Sequence, residues 1–305
     1  MEFKAERAAT TMNGTTEASD ERYRDLDLLP LDSVLSAMNE AEMSVPLAVR
    51  GEIPRIAAAI RAISAGLKGG GRLIYIGAGT SGRLGVLDAS ECPPTFSSDP
   101  TQVVGLIAGG DLALRNAIEG AEDDADAGAA TVLGLQLTQA DTVVGIAASG
   151  RTPYVLGAIA AATQAGATTV GISNNSGSEL SSLVDYPIEV EVGPEVLTGS
   201  TRLKAGSAQK QVLNMISTAT MVQLGKTYGN LMVDVSASND KLRQRALNLV
   251  KTITGRSDDV AEAALAEADG SVKVAAVAIV NDCSTDDARV LLDRHDGNLR
   301  AALEA

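Results

Sequence analysis

The sequence predicts an α/β fold: a doubly wound, mainly parallel sheet of about five strands flanked by helices. Two observations lead to this prediction. Short β-branched runs are almost continuously apolar, which is typical of parallel strands covered on both faces. Helical patterns alternate with the runs, as parallel neighbours require. The runs are Arg72–Ile76, Val103–Ala108, Thr142–Ala147, Thr168–Ile172 and Tyr186–Val190.

The chain ahead of the sheet is predicted to form an arm followed by helices. Residues 1–28 are polar and show no periodicity, which predicts a mobile arm. Residues 31–67 carry apolar side chains at helical spacing, and Pro46 and Pro54 punctuate the stretch. Two or more helices are therefore expected before the first strand.

Further helices are predicted between the strands and after the last one. Residues 153–164 and 178–183 have helical patterns between predicted strands. Residues 205–226 and the stretch near 239–254 follow the sheet and are also helical in pattern. Together with the strands they define an α/β domain over residues 29–255.

The C-terminal segment differs in sequence pattern from the predicted α/β domain. Ser257 and Ser284 each precede an acidic first turn, as helix N-caps do. Residues 256–305 are therefore predicted to form a small helical domain.

Composition excludes several classes of partner. The 305 residues carry a formal net charge of −14, with 2% aromatic residues and no Trp. Nucleic-acid binding needs a basic face and, for single strands, aromatic stacking platforms, so no nucleic-acid partner is expected. There is no apolar run of about 18 residues to span a membrane and no signal-peptide core near the N-terminus. A cytoplasmic location is expected.

Histidine and cysteine usage limits the chemistry. His295 is the single histidine, and Cys92 and Cys283 stand far apart. This spacing predicts neither a disulfide framework nor a metal site, and no cofactor is expected. Because histidine is the usual general base, an enzyme of this composition is predicted to use carboxylates for proton transfer.

Two glycine- and hydroxyl-rich turns follow predicted strands. GAGTSGRLG carries Thr80 and Ser81, and ASGRTPYV carries Ser149, Arg151 and Thr152. The carboxyl ends of parallel strands meet at the crevice where open α/β sheets bind ligands, so the two turns predict a site for a phosphate or sugar. The competing interpretation is a pair of tight turns with capping hydroxyls and a solvated arginine.

Two acidic segments supply candidate catalytic carboxylates. In DASECPPTF, Glu91 precedes a proline pair that predicts an extended, stiff backbone. In NAIEGAEDD, Glu119 and Glu122 stand three apart on a predicted helix face. Solvated surface carboxylates are the competing interpretation of both segments, and local sequence does not separate Glu119 from Glu122.

A cationic segment precedes the long helix after the sheet. GPEVLTGSTRLKAGSAQK gathers Ser200, Thr201, Arg202 and Lys204. Cations at a helix N-terminus oppose the macrodipole, so the segment predicts a bound anion. Alternatively, these cations pair with carboxylates of this acidic chain.

Together these segments resemble the N-acetylmuramic acid 6-phosphate etherases, which share a sugar isomerase (SIS) domain with glucokinase regulatory protein. The resemblance runs from about Val45 to Thr254 and continues more loosely to the end. Its most specific motifs are DASECPP and GSTRLKAG, in that order. It implies an SIS-type fold, a homodimer, and cleavage of the C3 lactyl ether of a phosphorylated amino sugar.

The resemblance also implies roles for individual residues. It makes Glu91 and Glu122 the catalytic pair, with Glu122 as the base at C2 and a buried Glu91 as the acid at C3 in our mechanistic hypothesis. Two other functions fit the same fold: a sugar-phosphate isomerase and a non-catalytic sugar-phosphate sensor. The sugar phosphate would be held by Thr80, Ser81, Ser149 and Thr152, together with Ser200 and Lys204.

Overall fold

The computed structural model describes residues 14–234 and 240–305. They form two compact units, one of residues 14–89 and 101–216, the other of residues 90–100, 217–234 and 240–305. The helical unit thus includes residues ahead of 256, because Ala246, Leu249 and Val250 share a buried core with the helices that follow.

The first unit contains a five-stranded parallel sheet in the order β2-β1-β3-β4-β5, which confirms the predicted fold class. Every residue of β1 and β3 is buried, as expected of strands covered by helices on both faces. Neighbours β1 and β3 end together, with Gly77 opposite Ile146. The strands are β1 Leu73–Gly77, β2 Val103–Ile107, β3 Thr142–Ile146, β4 Thr168–Ser173 and β5 Tyr186–Glu189.

Seven helices surround or follow this sheet within the described residues. Of these, α5 begins at the predicted Pro153, and α4 was not predicted. The pair packs tightly because a Cβ at Gly128 would lie 1.9 Å from Tyr154 O, and a Cβ at Gly157 would lie 2.1 Å from Ala125 O. The helices are α1 Leu31–Glu42, α2 Val45–Lys68, α3 Gly79–Phe96, α4 Ala125–Leu133, α5 Pro153–Gln164, α6 Glu179–Leu183 and α7 Lys204–Gln223.

Part of the predicted N-terminal arm packs against the sheet domain. Residues 1–13 of that arm lie outside the described residues. Residues 15–17, 21–23 and 26–28 form short 3-10 turns. Thr16 is fully buried, and its Oγ1 accepts a hydrogen bond from Asn175 Nδ2 at 2.9 Å. This contact fixes the first turn beside the carboxyl end of β4.

The second unit is built mainly from helices. Ser284 accepts a hydrogen bond from Asp287 N, so the predicted cap of α11 is confirmed, whereas Ser257 precedes α9 without a side-chain cap bond among the described residues. Residue 239, the predicted start of α8, lies outside the described part. The elements are β6 Thr227–Tyr228, β7 Leu231–Met232, α8 Asp240–Thr254, α9 Asp258–Glu267, α10 Val272–Asn281, α11 Thr285–Arg294 and α12 Leu299–Leu303.

A buried lysine forms hydrogen bonds to three separate segments of this unit. Lys273 Nζ donates to Asp234 Oδ2 at 2.8 Å and to the carbonyl oxygens of Gly225 and Gly297. Three acceptors match the three donors of an ammonium group, and these hydrogen bonds offset the free-energy cost of burying its charge. Across residues 14–234 and 240–305, no helix combines the length and hydropathy needed to cross a bilayer.

Candidate functional site

The turns that follow β1 and β3 face one cavity of about 350 Å³. Because these strands are neighbours in the sheet, their carboxyl ends bring together side chains almost seventy positions apart in the chain. The predicted residues among those lining it are Thr80, Ser81, Glu122, Ser149, Arg151 and Thr152.

The first turn is shorter than the sequence predicted. Helix α3 already begins at Gly79, so Thr80 and Ser81 lie in its first turn rather than in a long loop. Gly82 allows this early start. A Cβ there would lie 2.6 Å from Ile107 Cγ1 and 2.7 Å from Gly77 O. The glycines of GAGTSGRLG therefore let the helix approach the strand ends closely.

Ser81 belongs to a buried chain of hydrogen bonds. Its Oγ donates to Gln209 Oε1 at 2.9 Å, and Gln209 Nε2 donates to Asn174 Oδ1 at 3.0 Å. Asn174 Nδ2 in turn donates to Val190 O at 3.0 Å. Since a carbonyl oxygen only accepts, this end fixes the orientation of both amides. The network holds Ser81 against α7.

The second turn is shaped by Gly150. Its φ of 67° is left-handed, and a Cβ there would lie 2.4 Å from Ser178 Cβ. Ser149 Oγ accepts a hydrogen bond from Arg151 N at 3.2 Å. Thr152 is the N-cap residue of α5, yet its hydroxyl accepts no cap hydrogen bond among the described residues. That hydroxyl is therefore available to a ligand.

Glu122 does not lie on a helix face, so that prediction was wrong. Residues 121–123 form a 3-10 turn after Gly120, whose left-handed φ of 73° interrupts any helix between Glu119 and Glu122. Glycine at this position prevents a continuous helix. Glu122 lines the cavity that contains Ser149, whereas Glu119 lines an adjoining one that Glu122 also borders.

Arg83 on α3 holds the segment that leads to Glu122. Its guanidinium donates to Ala113 O at 2.7 Å, to Leu114 O at 3.1 Å and to Asn116 O at 3.1 Å. The guanidinium presents its donors in a fixed fork, so these bonds fix the course of the loop. Arg83 thus acts on the position of Glu122 through the backbone.

Glu91 belongs to the other compact unit and is exposed in the single chain. The predicted burial of Glu91 was therefore wrong for the single chain. The prediction of an extended backbone was also wrong, because α3 continues through Pro93 and Pro94 to Phe96. Neither proline can donate the N–H that would bond to the carbonyl four residues earlier, but the carbonyl of Pro93 still accepts a hydrogen bond from Ser97 N at 2.9 Å.

The cationic segment before α7 is organised by a carboxylate of the protein. Glu195, 1% exposed, accepts hydrogen bonds from Lys204 N and Ala205 N, each at 3.0 Å. The anion at this helix N-terminus is thus a glutamate. Lys204 Nζ donates to Val192 O at 2.7 Å, and burial lowers the pKa of Lys204 while Glu195 opposes that change. Neither Lys204 nor Ser200 lines the cavity.

Three residues that line the cavity were not among the predicted site residues. Glu17, Asp123 and Thr201 also line the cavity. Glu17 follows the buried Thr16 in a segment without periodicity, so no local pattern indicated its position. Thr201 was noted only as part of the cationic segment. Among the described residues that line this space, three carboxylates outnumber one cation, Arg151, and the two turns add four hydroxyl-bearing residues.

Comparison with known proteins gives consistent matches over nearly the whole chain. Residues 55–163 match the glucokinase regulatory protein N-terminal SIS domain, and residues 126–219 match the SIS domain. An N-acetylmuramic acid 6-phosphate etherase of Cutibacterium acnes is 57% identical over 95% of this chain and 95% of its own length. The corresponding protein of Streptomyces avermitilis is 55% identical, over 95% and 94% respectively. A solved phosphoheptose isomerase from Francisella tularensis is 19% identical with a TM-score of 0.49, over 65% of this chain and 98% of that chain.

Proposed function

This chain belongs to the N-acetylmuramic acid 6-phosphate etherase family, and we propose that it cleaves the lactyl ether at C3 of N-acetylmuramic acid 6-phosphate. The products are N-acetylglucosamine 6-phosphate and D-lactate. One observation carries the proposal beyond the family resemblance. The carboxylate of Glu122 lines the same cavity as the hydroxyls of Ser149 and Thr152, which supports a base and a phosphate-binding turn acting on one ligand.

The phosphate is proposed to bind at the turn that opens α5. Ser149 and Thr152 supply hydroxyl donors, and Arg151 supplies positive charge at the same cavity. A helix N-terminus adds the positive end of its dipole. Thr80 and Ser81 are proposed to contact the sugar from the first turn of α3. This arrangement leaves Glu122 free to act on the sugar carbons.

Glu122 is proposed to remove the C2 proton. In the ring-opened sugar this proton lies next to the C1 aldehyde, which delocalises the electron pair left on C2. The C3–O bond then breaks and gives an unsaturated aldehyde. Proton transfer by a positioned carboxylate typically accelerates such a step by about 10²–10⁴-fold.

Glu91 is proposed to protonate the departing oxygen of lactate. An alkoxide is a poor leaving group, so the C3–O bond breaks more readily when a proton arrives on that oxygen. Water then adds at C3, with Glu91 as the base that takes its proton, and the proton returns to C2. The net reaction consumes one water. Glu91 is exposed in the single chain, so solvent and ligands reach it.

The chain is also proposed to act as a homodimer. Helix α1 exposes Leu31, Leu35 and Met38 along one side, and Leu47 of α2 is exposed as well. Contiguous exposed apolar side chains typically mark an interface. Burial of this stripe against its copy would give the symmetric contact common in homodimers. A cytoplasmic location stays a prediction from the sequence.

Two measurements test these proposals. Purified protein is mixed with N-acetylmuramic acid 6-phosphate, and free D-lactate is followed with a coupled dehydrogenase. Absence of lactate, with the sugar phosphate nonetheless stabilising the protein against heat, would favour a sensor. Conversion to another sugar phosphate without lactate would favour an isomerase. For the dimer, light scattering of Leu35→Glu should give the mass of one chain, and an unchanged dimer would exclude this stripe.

A further inference from the structure

A second cavity, of about 430 Å³, adjoins the proposed sugar site. Thr80 lines both cavities, so they are neighbours across one side chain. The second cavity is bordered by the first turns of α7, where a Cβ built on Gly206 would lie 3.5 Å from Thr80 Cγ2. Its charged lining residues are Arg202 and Lys210.

These two cations have no hydrogen-bond or ion-pair partner among the described residues. Both side chains are exposed, in a chain of net charge −14. Two other arginines of this unit do pair with carboxylates, Arg55 with Glu52 and Arg72 with Asp141. Two like charges that border one cavity both attract an anion placed between them.

The neighbouring carboxylate does not supply that anion. Glu195 already accepts hydrogen bonds from the backbone N–H groups of Lys204 and Ala205 at the start of α7. The cations lie on opposite sides of this capped turn in sequence, one before it and one after it. The cavity therefore offers two charged donors, together with the hydroxyls of Thr80 and Ser207, to a ligand.

The chemistry of the proposed substrate suggests that ligand. N-acetylmuramic acid 6-phosphate carries two anionic groups, a phosphate at C6 and the carboxylate of the lactyl ether at C3. The hydroxyl-rich turn before α5 serves the phosphate in the first cavity. Because Thr80 lines both cavities, a ligand seated in the first can extend its other anionic group towards the second.

We infer that Arg202 and Lys210 form the subsite that binds the lactyl carboxylate. The inference rests on the proposed function, and it adds a determinant of specificity. The subsite distinguishes the substrate from its own product, because N-acetylglucosamine 6-phosphate has no carboxylate. Ion pairs of this kind form charge-assisted hydrogen bonds, with arginine able to bind both carboxylate oxygens.

The test compares two ligands that differ in this carboxylate. Arg202→Gln, Lys210→Gln and the double variant are assayed for KM with N-acetylmuramic acid 6-phosphate and for the inhibition constant of N-acetylglucosamine 6-phosphate. Each single change is expected to raise KM about tenfold, the loss typical of one charge-assisted hydrogen bond. The inhibition constant of the product should stay within about twofold. Arg61→Gln, which removes an exposed cation of α2, is the matched control.

Several outcomes would overturn the inference. Equal weakening of both ligands would assign the cations to the phosphate, and no weakening of either would leave them as solvated surface charges. Circular dichroism and melting temperature of each variant identify any loss of folding. Failure of the parent chain to release lactate would sink the proposed function instead, so the two failures are distinguishable.

Discussion

The carboxylate of Glu195 caps α7 by accepting a hydrogen bond from the backbone N–H of Lys204, nine residues further along the chain. The same lysine extends its ammonium group to Val192 O, 2.7 Å away and also in the segment before the helix. This double connection folds residues 192–204 into a compact loop. The Glu195 carboxylate and the Lys204 ammonium group thus both form their hydrogen bonds with backbone groups of the protein.

Lys204→Met should therefore affect stability more than substrate binding. Loss of the buried hydrogen bond to Val192 O leaves that carbonyl without its partner, at a cost of about 1–3 kcal/mol. Urea unfolding measures this change, and KM for the sugar phosphate should stay within about threefold. A large rise in KM with unchanged stability would instead support the ligand role that the family resemblance implies for Lys204. Lys68→Met, at the exposed end of α2, is the control.

Gln209→Leu should loosen the first turn of α3. The change leaves the buried Ser81 hydroxyl and the Asn174 amide without their partner, which typically costs about 1–3 kcal/mol for each buried polar group left unpaired. A lower melting temperature and a higher KM are expected together, because Ser81 lines the site. Gln223→Leu, at the exposed end of the same helix, should change neither.

Acid should weaken the interaction between Arg72 and Asp141, which precede strands β1 and β3. Burial raises the pKa of Asp141, but Arg72 and the backbone N–H groups of Thr138 and Arg72 outweigh it and lower the pKa from 3.8 to about 2. A lowered carboxyl pKa contributes stability above the unfolded value, and this contribution is lost as pH falls from about 4 to about 2. The contribution is roughly 2 kcal/mol.

Asp141→Asn tests this dependence. Its free energy of unfolding should be lower at pH 7 and should fall less between pH 4 and pH 2 than that of the parent. Asp111→Asn, an exposed carboxylate in the same unit, serves as control. An equal acid dependence in Asp141→Asn and the parent would contradict the assignment.

Two glycine-to-alanine changes should have opposite effects on stability. Gly51 lies within α2, and a Cβ there meets nothing within 4 Å. Alanine should stabilise that helix by about 0.5–1 kcal/mol. Gly128→Ala should destabilise the unit, because its Cβ would lie 1.9 Å from Tyr154 O and force α4 away from α5. Thermal melting distinguishes the two, and similar shifts of the same sign would contradict the packing argument.

Glu122→Gln should abolish exchange of the C2 proton. The amide keeps the shape of the side chain but has no basic oxygen of comparable strength, so the rate should fall by about 10²–10⁴-fold. Proton exchange with deuterated water, followed by NMR of the sugar phosphate, measures this step directly. Glu119→Gln should retain nearly all activity, since Glu119 borders only the adjoining cavity. Exchange at the parental rate in Glu122→Gln would remove it as the base.

Much of the fold was predictable because its determinants are local. The strands were found from continuous apolar runs, and β2, β3, β4 and β5 all begin at the predicted residues. Pro153 marked the start of α5 for a local reason as well, since proline lacks the N–H that a first helical residue does not need. Helix α4 was not predicted because it is short and rich in alanine and glycine, with no clear periodicity.

The errors in the site also have local causes. Glu119 and Glu122 have helical spacing, but the left-handed Gly120 between them ends any helix and separates the two carboxylates. Pro93 and Pro94 predicted extended backbone, yet the helix continues through both, since the φ that a proline ring fixes is also a helical φ. In the first case one glycine interrupts the helix that a short pattern favours, and in the second two prolines do not interrupt one.

The sequence by itself determined the positions of the strands along the chain, the two glycine- and hydroxyl-rich turns and the family motifs, because each depends on residues close together in the chain. Only the tertiary structure decided which polar groups are already used within the protein. Ser81 meets Gln209 across 128 positions, and Thr16 meets Asn175 across 159, which brings Glu17 to the cavity. No local pattern encodes such pairings, since they arise from the packing of distant elements around one sheet.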